Sequence, residues 1–154
     1  MAKFSILAVA AALVAFASAE HYAIVENNCP FTVRVFSVGR QEMDGGAVPQ
    51  GNSYREEMRW DLQTGGRDIK ITKDPKRPSE THLQLAYTYD ERTETIVYDM
   101  NNIYGNLFEN SKVTLEPATA SCPKIEWQNG VRPQNAVGAA CKGLEQNLVL
   151  KLCA

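Results

Sequence analysis

Between Leu83 and Met100 the chain keeps a strict two-residue rhythm on both sides of one turn. Leu83, Leu85, Tyr87 and Tyr89 lead into Asp-Glu-Arg-Thr-Glu, and Ile96, Tyr98 and Met100 resume the alternation. A strand points successive side chains to opposite faces, whereas a helix would need apolar residues three and four apart. The pattern therefore restricts this region to a hairpin with one buried face. Shorter runs repeat the signal: Tyr22 to Glu26, Thr32 to Val38, Arg67 to Lys73 with Ile69 and Ile71 in phase, Val113 with Leu115, and Leu148 with Leu150 and Leu152. Helical periodicity is almost absent after residue 20. Asp44-Gly45-Gly46, Pro49-Gln50-Gly51-Asn52, Gly65-Gly66 and Pro75-Lys76-Arg77-Pro78 read as turns or loops. The least strand-like stretch, Gln128 to Leu144, reads as a long loop with one helical turn near Asn135 to Cys141. No repeat or linker interrupts the pattern. The expectation is one all-β domain over residues 20–154, an antiparallel β-sandwich with little helix.

Residues 1–19 follow a different logic. Lys3 precedes a thirteen-residue, largely apolar run from Phe4 to Phe16, and Ala17-Ser18-Ala19 offers a small-x-small cleavage site. That is the layout of a secretory signal peptide, and the run is too short for about 30 Å of hydrocarbon. The expected mature protein starts at Glu20 and is extracellular or in the cell wall, with no membrane association after cleavage. All four cysteines, Cys29, Cys122, Cys141 and Cys153, lie beyond the leader. An oxidising route makes disulfides their default, and no Cys-x-x-Cys pair suggests zinc or redox chemistry. Sixteen Lys and Arg against eighteen Asp and Glu give a formal charge of −2. That balance excludes a strongly basic nucleic-acid binder or a polybasic membrane-surface protein.

Catalytic chemistry finds little support. A glycosidase needs two carboxylates facing each other across a cleft. The candidates are Glu56, Glu57, Asp61, Asp90, Glu94 and Asp99. Asp90 and Glu94 sit in the hairpin tip, where charges are normally just solvated. Asp99 points away from Ile96, Tyr98 and Met100, so it either faces a cleft or caps a turn at Asn101-Asn102. No Gly-x-Ser-x-Gly motif accompanies the two histidines, His21 and His82. A copper site built from an N-terminal His21 and His82 would require cleavage after Glu20. Cleavage after Ala19 leaves no such terminus, so no metal, cofactor or catalytic residue is expected. Trp60, Trp127, Tyr54 and Tyr104 could stack on a sugar but fit core or half-buried packing better. Arg34, Arg40, Arg55 and Arg59 read as ordinary strand-face charges.

A family resemblance adds to this reading. AIVENNCPFTVRVFSVG, from Ala23 to Gly39, resembles the opening strand pair of thaumatin-like proteins. LAYTYDERTETIVYDMNNIYGNLF, from Leu85 to Phe108, resembles that family's hairpin and the turn after it. LVLKLCA, from Leu148 to Ala154, resembles its last strand with a cysteine beside the end. Small size, four cysteines and Pro-x-Gly-x-Ser at Pro49 to Ser53 are most similar to the fungal branch, the secreted yeast-phase-specific or antigenic thaumatin-like proteins. The resemblance implies a thaumatin-like sandwich. Plant members carry a further disulfide-rich domain and line a cleft with Arg, Glu and Asp side chains. Here only Asp99 falls on one of those cleft positions. The cleft Glu would fall near Ala86 and another cleft Asp near Tyr104, so glucan hydrolysis is not expected.

Four cysteines allow three pairings. The resemblance implies Cys29–Cys153, which leaves Cys122–Cys141. The residues agree with this if the first and last strands are neighbours, since Cys29 follows one β-run and Cys153 ends another. The sequence thus leads to a secreted, monomeric, non-enzymatic protein with an extracellular partner, either cell-wall glucan or a host protein. A β-glucan binder or weak β-1,3-glucanase is the alternative.

Overall fold

A computed structural model of the protein describes residues 21–73 and 80–154. The leader at residues 1–19 and the Pro75-Lys76-Arg77-Pro78 turn lie outside them. Among the described residues eleven strands run in chain order: β1 (Tyr22–Asn27), β2 (Val33–Val38), β3 (Glu42–Val48), β4 (Ser53–Glu57), β5 (Arg67–Thr72), β6 (His82–Asp90), β7 (Thr95–Ile103), β8 (Val113–Pro117), β9 (Ile125–Trp127), β10 (Ala139–Lys142) and β11 (Leu148–Leu152). They form a five-stranded sheet, β4-β1-β11-β8-β9, and a six-stranded sheet, β10-β7-β6-β5-β2-β3. The fold is all-β.

Alternation decides the faces. Leu83, Leu85, Tyr87, Ile96, Tyr98, Met100, Ile69 and Ile71 point inward from the six-stranded sheet and meet Ala23, Val25, Leu115, Leu148, Leu150 and Leu152 of the other. Each fully buried Leu or Ile contributes about 1.5–3 kcal/mol, so a one-residue slip that turned these faces outward would cost far more than the domain's stability. The sandwich is antiparallel except at β1 and β11, which run parallel, with Ala23 opposite Leu148 and Asn27 opposite Leu152. Asn27 finishes β1 fully buried. Its Nδ2 donates to the Phe31 and Val48 carbonyls at 2.8 Å each, and its Oδ1 accepts the Cys29 N–H at 3.1 Å. That side chain therefore shapes the Asn-Asn-Cys-Pro corner from within. Beyond it Cys29 is bonded to Cys153 with 5.1 Å between Cα atoms, and Cys122 to Cys141 with 5.3 Å.

Three sequence expectations are corrected. Asp44-Gly45-Gly46 is not a turn but the middle of β3, where the register with β2 shifts between Val35 and Phe36. The glycines make this bulge possible: Gly46 has φ +88°, and a Cβ on Gly45 would lie 2.6 Å from the Tyr54 ring. Asn135 to Cys141 holds no helical turn. A single bond from the Ala136 N–H to the Pro133 carbonyl at 3.1 Å closes a β-turn, after which β10 pairs with β7. Asn101 and Asn102 are not a turn either; they continue β7 opposite Gln84 and Leu83.

Candidate functional site

The outward residues of the six-stranded sheet line up across the strands. Val38 on β2 pairs with Asp68 on β5, Asp68 with Ala86 on β6, and Ala86 with Asp99 on β7. This row floors a groove of about 490 Å³, walled by Gly39, Thr64 and Gly66 at one end and by Val97 and Gly138 at the other. Asp99 therefore lies in a groove, not at a turn. Asp68 joins it, two strands away or about 9.5 Å at ordinary strand spacing. Sequence reading missed Asp68, although its alternation with Ile69 and Ile71 already put it on the outer face.

The two acids differ in kind. Arg132 grips Asp99 with both arms: Nη1 donates to Oδ1 at 2.9 Å and Nη2 to Oδ2 at 3.0 Å. The same guanidinium donates to the carbonyls of Met100 and Ala136, so it pins the 128–138 loop against β7. The Met100 N–H also donates to Asp99 Oδ1, at 2.8 Å. Nothing near Asp99 in the sequence announces Arg132, which lies on the far loop. Asp68 has no such clamp. Its burial raises its pKa above the ordinary 3.8, against the lowering pull of Lys70, Gln84 and His82. The folded state thus holds this proton more tightly than the unfolded chain. Stability from this group is full below the ordinary carboxyl range and is lost as pH rises through the raised pKa. Asp68→Asn is expected to remove that decline from a plot of melting temperature against pH between about 3 and 7. An unaltered slope would show that the group titrates as it does in the unfolded chain.

The remaining candidate acids do not reach the groove. Glu56 faces the interior, where its two oxygens accept the Tyr87 and Tyr54 hydroxyls at 2.7 and 2.8 Å. Burial, then the Glu56 charge, push both tyrosine pKa values far up. Arg67, only 6% exposed, completes this network through Ser37 Oγ at 2.6 Å and Glu56 at 3.5 Å. Asp61 accepts backbone N–H groups, Asp90 holds Arg92 at the hairpin tip, and Glu57 pairs with His21 at 3.0 Å. Glu94 sits exposed in the turn with φ +51°. The histidines cannot share a metal. His21 stacks on Tyr89 near the end of β6, with ring centroids 5.4 Å apart. His82 opens that strand, about 23 Å away at the rise of an extended chain. Trp127 is core, Trp60 lies half-buried beneath Arg92, and Tyr54 is half-buried. Tyr104, 81% exposed, stands out from the protein. Arg34 and Arg55 lie on strand faces as expected, but Arg40 and Arg59 lie in loops.

Residues 10–154 match the family described as Blastomyces yeast-phase-specific protein. An antigenic thaumatin-like protein of Arthroderma benhamiae is 29% identical over 109 residues, covering 70% of this chain. The match spans about half (54%) of that relative's length. Among solved structures, the protein elicitor MoHrip2 from Magnaporthe oryzae superposes with a TM-score of 0.72 at 25% identity, over 87% of this chain and 99% of its own. The thaumatin-like xylanase inhibitor TLXI shares the fold, with a TM-score of 0.54 at 12% identity over 86% of this chain and 99% of its own.

Proposed function

Because the chain belongs to the Blastomyces yeast-phase-specific protein family, we propose that it is a secreted, non-enzymatic thaumatin-like protein that acts by binding outside the cell. Its partner is a host protein or cell-wall glucan, met by a monomer. The likeness to an antigenic thaumatin-like protein and to a protein elicitor supports an extracellular, antigen- or elicitor-like role. One observation carries the non-enzymatic part. Asp99, the one acid matching the cleft of plant thaumatin-like proteins, has both oxygens engaged by Arg132. A catalytic carboxylate must be free to turn an oxygen toward the substrate, whereas the bidentate grip holds both oxygens of Asp99 against the loop. The clamp converts this carboxylate into a scaffold for the groove wall.

The second reading, β-glucan binding with weak hydrolysis, draws on the Asp68–Asp99 row. Asp68, whose pKa burial raises, and Asp99 lie two strands apart, which is the span of an inverting pair. One experiment separates the two. Protein recovered from the medium of expressing cells is expected to begin at Glu20 by intact mass and to release no reducing sugar from a soluble β-1,3-glucan. Release of sugar that disappears in Asp68→Asn or Asp99→Asn would make the enzyme reading the correct one. A chain that stays in the cells, or keeps Met1, would overturn secretion.

A further inference from the structure

Two loops meet at the Gly39 end of the groove, residues 39–41 between β2 and β3 and residues 58–66 between β4 and β5. Asp61 locks them together. Its carboxylate accepts the Arg40 backbone N–H at 3.1 Å and those of Gln63 and Thr64 at 3.0 Å each. Arg67 Nη1 lies 3.8 Å from it. Gly39 permits the approach, because a Cβ there would sit 2.5 Å from Asp61 Oδ2 and 2.9 Å from Arg67 Nη1. The three amides hold the Asp61 carboxyl well below the usual range, so the lock persists at any mild pH.

The locked loops carry Arg40 and Arg59 to a pocket of about 360 Å³ with Met43 on its rim and Arg67 and Asp61 at its base. Both arginine side chains are exposed, and neither guanidinium has a hydrogen-bond or ion-pair partner among the described residues. The Asp61 charge is already answered by three amides and Arg67, so the pocket presents positive potential on a chain whose net charge is −2. A planar carboxylate is the natural complement of a guanidinium pair. The rim distinguishes between anionic partners. Met43 on the rim is 46% exposed, and Leu62, outside the lining but next in the chain to Asp61, is 93% exposed. Exposed Leu and Met beside unpaired Arg match the composition of a protein interface rather than of a glycan platform, which would offer flat aromatic faces.

We propose that this pocket docks an acidic protein segment, with a carboxylate side chain seated between Arg40 and Arg59 and its apolar neighbours against Met43 and Leu62. The site borders the groove through Arg67 and the two shared loops, at the end away from Asp99. The test is calorimetric titration of the purified protein with a soluble peptide of alternating Glu and Leu, with polygalacturonate as a second arm. The peptide is expected to bind, and Arg40→Ser with Arg59→Ser to weaken it at least about tenfold. Affinity is expected to fall as ionic strength rises from about 0.01 M to about 0.15 M, and Asp99→Asn in the groove to leave it unchanged. No binding of the peptide, equal binding by the double variant, or tighter binding of polygalacturonate than of peptide would each overturn the proposal.

Discussion

Cys153→Ser is expected to lower the unfolding free energy by about 5 kcal/mol and Cys141→Ser by about 3 kcal/mol, read from urea denaturation of the oxidised proteins. The difference follows from loop length. Cys29–Cys153 closes a separation of 124 residues, and Cys122–Cys141 one of 19. A cross-link removes more freedom from the unfolded chain as the loop it closes grows. Native contacts push the same way. Cys29 is fully buried behind the Asn27 corner, next to the β1–β11 pair that the bond secures. With a whole-domain stability of about 5–15 kcal/mol, the first variant approaches unfolding at room temperature while the second remains folded. Equal losses, or a larger loss for Cys141→Ser, would remove the loop-length argument.

Arg67→Ala should rank beside it, with a loss of about 3–5 kcal/mol. The side chain enters the sandwich from β5 on a position that alternation reserves for apolar residues, in phase with Ile69 and Ile71. It is tolerated there because Ser37, Glu56 and Asp61 surround it. Removing the guanidinium strands the Glu56 carboxylate between two tyrosine hydroxyls in a space water barely reaches. A buried ion left without its partner costs more than the pair contributed. Arg67→Met combined with Glu56→Gln removes both charges together and is expected to recover at least half of the loss, a coupling that a double-mutant cycle measures directly. Additive losses from the two sites would show that Glu56 does not depend on Arg67.

Strands with one buried face were legible in the sequence because burial writes itself as alternation. β1, β2, β5, β6, β7, β8 and β11 all lie where the period-two runs are. β3, β4, β9 and β10 escaped notice for a common reason: each is an edge strand in its sheet. An edge strand needs fewer apolar residues, and β4 reads Ser-Tyr-Arg-Glu-Glu with only Tyr54 and Glu56 turned inward. β3 hid further behind its glycines, which signal a turn in the sequence and form a bulge in the fold. The site was half legible. Asp99 is visible from the Tyr98-Asp99 alternation, but its clamp comes from Arg132, 33 positions on, through a loop with no periodicity at all. Glu56 looked like a candidate acid because its partners, Tyr87 and Arg67, come from two other strands. Such convergence is a property of topology, and topology does not show in local pattern.

The position of β11 has a consequence for the order in which the molecule can assemble. The six-stranded sheet has at its heart β5, β6 and β7, consecutive in the chain, with the β6–β7 hairpin joined by a short turn. Its centre is available early. The five-stranded sheet has no such nucleus. β1 and β8 are separated by the width of β11, so the ladder between the chain's first strand and its eighth stays open until residues 148–152 slide between them. A chain emerging from its amino end must keep the apolar faces of β1 and β8 apart for the whole time the other sheet is being built. Contacts of such long range form slowly and leave sticky edges exposed meanwhile. The late strand carries Leu148, Leu150 and Leu152 on its inner face and Cys153 directly behind them. Closure and covalent sealing are thereby coupled: the thiols of Cys29 and Cys153 meet in register only when the sheet is whole.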